Sequence, residues 1–472
     1  MHYNLQRYEQ SVAWFQEALT LATARANTRA MNLVHVNLAL AYQHLHNHAQ
    51  AIEYATLVLH TTPMDTDMAL RVSALSILAS AAKAHHDIHK AIEHATMALQ
   101  LADTINDVVL VECCANNLAM YVFESRDFAR AAALYERLLG LARDVHKQAT
   151  AHYHLGIVAA EMGQPRDAEL HMAQAMELAN SVGDAGLTAL AQGYLGLQRF
   201  YDENLYDAQT ELLLALQGAK FARNPSIEGY VMSGLGTVYL MESRFDEAVG
   251  HFESDLALAK AHENKYAQLR AYNNLGLSYL LSGDASHALV HFRSNMKLAQ
   301  VLGNKKELAR AYFGMGTAAT EMKRRGIAVD ATDEPLQLFL RQKKYACEIG
   351  DKWLETLAYK AMVDIYEKQG ALEKALGECD QLIAAAEAVD DVTLMSESYR
   401  TMASILSSQL ALLTQRGGSR FQDTINLLVN KRDTVCTKYK DLFDNGKFST
   451  PLRRQDIDRI VALPLSTKER PK

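Results

Sequence analysis

The stretch "RAYNNLGLSYLLSGDASHALVHF", residues 270–292, contains the structural unit that repeats along this chain. In its first half, Tyr272, Leu275 and Tyr279 recur at i, i+3 and i+7, the spacing of an amphipathic helix. In its second half, a new apolar stripe begins at Ala288. The "SGD" between the halves supplies a glycine for a left-handed C-terminal cap and an aspartate to cap the next helix. The stretch therefore predicts a helical hairpin.

The same hairpin pattern recurs along the chain. A leucine or methionine followed by a small or apolar residue marks the first helix of each unit, at Leu38, Leu78, Leu118, Leu155, Leu195, Leu235, Leu275, Met315, Met362 and Met402. An alanine thirteen residues later marks the second helix, at Ala51, Ala91, Ala131, Ala168, Ala208, Ala248, Ala288 and Ala375. Most steps between first marks are 40 residues, with one of 37 and one of 47. Two marks held in register over so many units indicate internal repeats.

A single helical hairpin leaves its apolar stripe exposed, so each hairpin must pack against its neighbours in the sequence. We therefore predict an all-α fold, an α-solenoid of stacked antiparallel helical hairpins. The solenoid is predicted for residues 1–415, with about ten repeats of which the first is partial and with an insertion at 324–335. A C-terminal capping helix is predicted for 416–444, and an extended basic tail for 445–472.

The repeat marks resemble the core signature of the tetratricopeptide repeat (TPR) family. Two units carry it in full, as Leu275, Gly276, Tyr279 and Ala288, and as Leu235, Gly236, Tyr239 and Ala248. The resemblance covers roughly residues 5–415 and implies a right-handed superhelix. The 40-residue unit and the endings "VLGNKKELARAY" and "EIGDKWLETLAY" resemble LGN-type spindle-orientation adaptors. No G-protein-binding motif is found after residue 415, so the likeness implies the repeat subtype and not that cellular role.

Two departures from the period leave alternatives open. "RYEQSVAWFQEALTLA", residues 7–22, matches a second helix whose own first helix is almost absent. Either the first hairpin is incomplete, with Trp14 and Phe15 capping the stack, or the sequence is a fragment. The 47-residue step comes from "KRRGIAVDATDEPLQ", residues 323–337, in which Pro335 is predicted to open the second helix. This insertion is either a tolerated surface loop or a binding element.

The composition of the chain limits which classes of partner and which cellular compartment are expected. The chain is 49% hydrophobic and 22% charged, with a net charge of -7. A chain without a global basic field is not expected to bind nucleic acid or anionic lipid non-specifically. No signal peptide and no apolar run of about 18 residues is present, so membrane insertion is not expected. We predict a cytoplasmic protein, with a cytoskeletal or ciliary location as an alternative. The chain contains five cysteines without CxxC spacing, Cys113, Cys114, Cys347, Cys379 and Cys436, and we therefore predict a reducing compartment.

No catalytic motif is found in the chain. A P-loop, a GxGxxG after a strand, an HExxH and a GxSxG are all missing, so we predict neither an enzyme nor a cofactor. Two turns rich in histidine lie one period apart, with His44, His46 and His48 in one and His85, His86 and His89 in the other. Neighbouring turns could bring them together around a metal, but solvated turn histidines are the favoured interpretation and no metal site is predicted.

In TPR proteins the first helices of successive hairpins line a concave groove. Transferring the positions that face it gives as candidates Asn37, Asn116, Asn117, Tyr153, His154, Tyr194, Tyr230, Arg270, Asn273, Asn274, Arg310 and Phe313, with Ser233, Leu277 and Thr317 beside them. An asparagine amide both donates and accepts, which suits the backbone of an extended peptide. Arg270 and Arg310 suit an acidic side chain or carboxylate. Alternatively, the asparagines cap or bridge helices and the arginines pair with acidic neighbours.

These observations favour a non-catalytic scaffold or adaptor that binds protein segments, peptides or helices, in the groove. The alternative is a permanent structural subunit of a ciliary, axonemal or cytoskeletal assembly, contacted through the tail and the insertion. The combination of lysine, arginine and asparagine that binds chaperone C-termini in the family does not occur in any three consecutive units, so that class of partner is disfavoured.

Overall fold

The computed structural model describes residues 2–45, 47–63, 67–85, 87–389, 391–415 and 422–444. Within these ranges the chain forms twenty-one α-helices and one short 3₁₀ helix, and it contains no β-strand. The prediction of an all-α fold is confirmed. No helix in the described ranges is both long enough and apolar enough to cross a membrane.

The described chain divides into two compact units. Unit 1 contains residues 2–199 and 206–227, and unit 2 contains residues 200–205 and 228–444, in each case within the described ranges. Unit 1 contains α1 (His2–Ala24), α2 (Thr28–His44), α3 (His48–Thr61), α4 (Met68–Ala84), α5 (Ile88–Ile105), α6 (Val108–Glu124), α7 (Phe128–Leu141), α8 (Val145–Glu161), α9 (Pro165–Ser181) and most of α10 (Ala185–Tyr201) and α11 (Leu205–Phe221). Unit 2 contains most of α12 (Pro225–Met241), then α13 (Phe245–Ala261), α14 (Lys265–Leu281), α15 (Ala285–Val301), α16 (Lys305–Arg324), α17 (Pro335–Ile349), α18 (Lys352–Lys368), α19 (Leu372–Val389), α20 (Val392–Gln415) and α21 (Gln422–Asp444).

Consecutive helices pack against each other within each unit, as α8 does with α9 and α14 does with α15. The first helices of successive hairpins also meet, as α2 does with α4 and α14 does with α16. Each hairpin thus buries its apolar stripe against its own partner helix and against the next hairpin. This is the stacking predicted for an α-solenoid.

The two helices of a hairpin approach closely where a glycine of the first helix faces a bulky side chain of the second. A Cβ atom added at Gly276 would lie 2.7 Å from Cε1 of Phe292, closer than van der Waals contact allows. The same arrangement pairs Gly156 with Met172, Gly196 with Leu212, Gly236 with Phe252, and Gly316 with Phe339. The leucine–glycine mark of the repeat is therefore a packing requirement.

The turns contain the capping residues that the sequence predicts. Between α14 and α15, Gly283 has a φ of +93°, in the left-handed region that glycine tolerates best. Asp284 then accepts a hydrogen bond from the backbone N–H of His287 through Oδ1 at 3.1 Å. Pro165 and Pro335 each occupy the first turn of a helix, as predicted.

The insertion between α16 and α17 is held against unit 2 by charged side chains. The 3₁₀ helix (Ala331–Asp333) lies within it, and Asp333 is only 3% exposed. Its carboxylate accepts a hydrogen bond from the guanidinium of Arg293 in α15. Nearby, Nζ of Lys323 donates to Glu334 at 2.5 Å. A buried, paired carboxylate fixes the path of this loop on the hairpin surface.

The last two helices form the end of unit 2. Leu428 and Val435 of α21 are buried in a hydrophobic cluster with residues of α20. The basic tail predicted for 445–472 lies outside the described residues, as do residues 416–421. The division of the chain into solenoid, capping helix and tail stays a prediction.

The close approach at Gly276 can be tested by adding one methyl group. We expect Gly276→Ala to lower the free energy of unfolding by about 1–3 kcal/mol, because the new methyl overlaps Phe292. Urea denaturation followed by circular dichroism measures this change. Gly250→Ala in α13 is the matched control, because nothing lies within 4 Å of the added Cβ there. The control should gain up to about 1 kcal/mol from helix propensity, and equal effects of the two substitutions would contradict the packing argument.

Candidate functional site

A cleft of about 240 Å³ lies in unit 2, where α14 and α16 expose neighbouring faces. Its lining residues are Tyr266, Leu269, Arg270, Asn273, Asn274, Asn304, Glu307 and Arg310. The residues from α14 recur every three to four positions, as Tyr266, then Leu269 and Arg270, then Asn273 and Asn274, so they share one face of the helix. Four of the candidate groove residues, two arginines and two asparagines, are thereby brought together.

Arg270 is held in the cleft wall by a buried carboxylate. Its Nη2 donates to Oδ1 and Oδ2 of Asp255 in α13, at 3.0 and 3.1 Å. Asp255 is 1% exposed, whereas the side chain of Arg270 is 35% exposed. Burial raises the pKa of Asp255, and attraction to Arg270 acts in the opposite direction. Asp255 therefore orients the guanidinium, whose Nη1 makes no hydrogen bond within the described residues.

Arg310 also has an acidic partner. Its Nη1 donates to Oε1 of Glu307, one turn earlier on α16, at 2.9 Å. Both side chains are more accessible than Asp255, with 49% of Arg310 and 17% of Glu307 exposed. Two arginines and two carboxylates thus give the cleft wall a formal charge of zero. The alternative in which arginines pair with acidic neighbours is confirmed for both residues.

The asparagines of the cleft differ in what they bind. Nδ2 of Asn274 donates to Oγ of Ser233 in α12 at 3.0 Å, which bridges two helices. Oδ1 of Asn304 caps α16 by accepting the N–H of Glu307 at 3.1 Å. Asn273 is half-buried, and its side chain makes no hydrogen bond to any other part of the described chain. The N–H and C=O groups of its side-chain amide can therefore form hydrogen bonds with a ligand in the cleft.

The aromatic candidates lie elsewhere and are packed into hairpins. Tyr153 and Tyr194 are 9% and 4% exposed, and their rings meet edge-on in the core of unit 1. His154 stacks on Tyr135 with ring centroids 4.8 Å apart, and burial lowers its pKa to about 4. Phe313 packs against a phenylalanine of α17. Aromatic rings at these positions fill the hairpin interior, because burying their carbon surface there is more favourable than exposing it.

The remaining candidates also lie outside the cleft lining. Leu277 and Ser233 are buried, and Oγ1 of Thr317 donates to the carbonyl of Phe313 in its own helix. Half-buried positions are occupied by Asn37, Asn116, Asn117 and Tyr230. These residues are distributed over both units, so the structure does not bring the candidates together as one set.

Asp255 was not among the predicted site residues, although the sequence contains a signal for it. The position seven residues after the alanine mark is apolar in the preceding hairpins, at Val58, Ala98, Leu138, Ala175 and Ala215. In α13 that position is Asp255, and a polar residue in an apolar column requires a partner. Gly229 of α12 was missed as well. A Cβ there would lie 2.5 Å from Oδ1 of Asp255, so the glycine makes room for the ion pair.

The histidine-rich turns do not form a multi-ligand site in the described part of the chain. The ring of His44 stacks on Tyr8, and those of His48 and His85 approach to 5.8 Å. His46 and His86 lie outside the described residues. Across the described ranges, no group of three or more histidine, cysteine, aspartate or glutamate residues could hold a metal ion.

Comparison with known proteins gives structural likeness only. No protein family matches the chain, and no curated protein sequence matches it either. The chain is similar to a signal transduction ATPase with numerous domains and a tetratricopeptide repeat sensor, from Pyrococcus horikoshii, with TM-score 0.49, 17% identity, and coverage of 76% of this chain and 54% of that one. It thus spans about half the length of that protein.

Two further solved structures are similar over most of their length. A Rap protein complexed with competence and sporulation factor has TM-score 0.45 and 15% identity, with 80% of this chain and 98% of that chain covered. The apo form of the quorum sensor NprR from B. thuringiensis has TM-score 0.47 and 13% identity, with 78% and 100% covered. At these identities the likeness concerns the fold alone.

The dependence of the cleft on the buried ion pair can be measured. We expect Arg270→Met to lower the free energy of unfolding by about 3 kcal/mol, because it leaves the buried carboxylate of Asp255 unpaired. The double variant Arg270→Met/Asp255→Leu should recover most of that loss, since no buried charge remains. Urea denaturation measures both. A double variant no more stable than the single one would show that the pairing is not the cause.

Proposed function

We propose that the chain is a non-catalytic protein-interaction scaffold that holds a segment of a partner protein in the cleft between α14 and α16. The observation that carries this proposal is Asn273, which lines a cleft of polar groups and makes no side-chain hydrogen bond within the described residues. An amide with a free donor and a free acceptor matches the N–H and C=O groups of a peptide backbone.

The size of the cleft supports a chain segment as its ligand. Pockets for drug-sized small molecules measure about 300–1,000 Å³, and this cleft measures about 240 Å³. It accommodates one or two residues of a longer segment. The remainder of that segment then contacts the surface on either side. At the cleft itself, Tyr266 is 67% exposed and presents its ring to the segment. Aromatic side chains at such positions contribute contact area at low entropic cost.

The charges of the cleft favour hydrogen bonding over attraction of an acidic group. Arg270 and Arg310 are each compensated by a carboxylate already in place. A ligand carboxylate would gain from the two guanidinium groups but would be repelled by Glu307 at the same time. We therefore propose that the cleft binds mainly the uncharged backbone of the partner. The acidic clamp that the sequence suggested is the less favoured form of this proposal.

The second possibility from the sequence is a permanent subunit of a ciliary or cytoskeletal assembly. It depends on the tail and the insertion as contact surfaces. The tail lies outside the described residues, and the insertion is tied to unit 2 through Asp333. This possibility therefore stays a prediction.

A photocrosslinking experiment tests the proposed site. A benzoylphenylalanine in place of Tyr266, an exposed aromatic residue of the cleft lining, should crosslink in cells to one segment of one partner, identified by mass spectrometry. The same residue at position 297, which is exposed on α15, is the control. Crosslinks that are equally frequent from both positions, or spread over unrelated proteins, would contradict the proposed site.

A binding measurement on the identified segment then tests the role of Asn273. We expect Asn273→Ala to weaken a synthetic peptide of that segment about 5–20-fold in fluorescence anisotropy, the loss of one or two hydrogen bonds. Asn430→Ala on α21, an exposed asparagine outside the set of groove candidates, is the matched control and should leave the affinity unchanged. Arg270→Ala is unsuitable for this test, because it leaves Asp255 buried and unpaired. Unaltered affinity in Asn273→Ala would remove this residue from the site.

A further inference from the structure

Two histidines face each other between the helices of the hairpin formed by α8 and α9. Nδ1 of His152 and Nδ1 of His171 are 3.0 Å apart, with one nitrogen donating to the other. The ring centroids are 5.3 Å apart and the ring planes are tilted by 32°. Both side chains are half-buried, so solvent reaches the pair from one side.

The repeat itself brings these two positions together. They are 19 residues apart, and the same pair of positions meets in other hairpins of the described chain. His35 and Tyr54 stack at 5.7 Å, and Nε2 of Gln192 donates to Glu211 at 3.2 Å. The contact between His152 and His171 therefore follows from the packing of the hairpin, and it does not depend on a particular side-chain rotamer alone. In the sequence, the hairpin of His152 and His171 is the repeat in which both positions are histidine.

We propose that His152 and His171 form a binding site for a divalent transition metal ion of the kind that imidazole favours, Cu²⁺, Ni²⁺ or Zn²⁺, with both Nδ1 atoms as ligands. Imidazole nitrogens bind such ions at about 2.0–2.1 Å. Two nitrogens 3.0 Å apart subtend about 91–97° at an ion at that distance, an angle typical of neighbouring ligands in tetragonal coordination. In the metal-free chain the two Nδ1 atoms point at each other, so each ring turns by about 45° on metal binding to direct its lone pair at the ion. Water molecules complete the coordination from the exposed side.

The protonation of the pair is compatible with metal binding. Burial lowers the pKa of His152, and the charge of His171 acts in the same direction, so this imidazole is neutral at neutral pH. One ring currently donates its Nδ1 proton to the other ring. When the metal binds, that ring carries its proton on Nε2 instead, and both Nδ1 lone pairs are free for the ion. The number of protons on the pair does not change.

A metal bound in this way bridges α8 and α9. Because the unfolded chain does not hold the two rings together, the ion stabilises the folded hairpin in proportion to its affinity and concentration. The concentration of the metal ion thereby regulates the stability of unit 1 through this hairpin. This role is independent of the cleft in unit 2, and its failure would leave the proposed function untouched.

Titration of the full chain with Cu²⁺ tests the proposal. Because the sequence contains 18 histidines that can bind Cu²⁺, the test compares wild type with variants. Wild type is compared with His152→Gln and His171→Gln by isothermal titration calorimetry and electron paramagnetic resonance. Glutamine occupies the first of these positions naturally in α10, at Gln192, so the fold should tolerate it. We expect each variant to lose the tightest binding event, with affinity reduced about tenfold or more, and to lose the signal of two imidazole nitrogens on one ion.

His291→Gln is the matched control, because its partner at the equivalent position is Tyr272. It should retain the tightest event. Unchanged Cu²⁺ binding in His152→Gln and His171→Gln would overturn the proposal.

A gain-of-site variant decides the question even if the glutamine variants fold poorly. Gln192→His/Glu211→His places two histidines at the same pair of positions in the next hairpin, where the native side chains already make a hydrogen bond. We expect one additional Cu²⁺ ion per chain, with the same resonance signature. If the folded variant binds no additional ion, the register does not create a metal site and the proposal fails.

Discussion

The close approach of the two helices in five hairpins depends on the fit between a glycine of the first helix and a larger side chain of the second helix. In the hairpins with glycine the two positions are 16 residues apart, as at Gly276 and Phe292. The insertion lengthens that separation to 23 between Gly316 and Phe339, yet the same contact forms. Helix approach therefore depends on side-chain volume and not on the length of the connection, which is why seven extra residues are accommodated.

Because these contacts occupy the interior of each hairpin, the faces of the first helices are free to carry other chemistry. In unit 2 this face bears the cleft, and its arginines are held by carboxylates. The buried member of that network, Asp255, lies in a column that is apolar in earlier hairpins. A single buried charge requires a partner and space, which Arg270 and Gly229 supply. One polar substitution in the repeat thus accounts for much of the site.

A change of residue type also alters the chemistry at the pair of positions that meet between the two helices of a hairpin. Packing places them in contact, and the residue types then decide whether the contact is a ring stack, an amide–carboxylate hydrogen bond or a pair of imidazoles. A repeat protein can acquire a new site in this way without any change of backbone. The scaffold fixes the distance, and the side chains fix the chemistry.

The helical hairpins, their caps and the helix opened by Pro335 were predictable from the amino-acid sequence, because they depend on local periodicity and on backbone groups within a few residues. The contacts of the site were not. Arg270 lines the cleft but is already paired with Asp255, and Tyr153 and Tyr194 are buried in the core. Which side chains meet across neighbouring helices depends on helix rotation and side-chain volume, and a periodic pattern does not specify either.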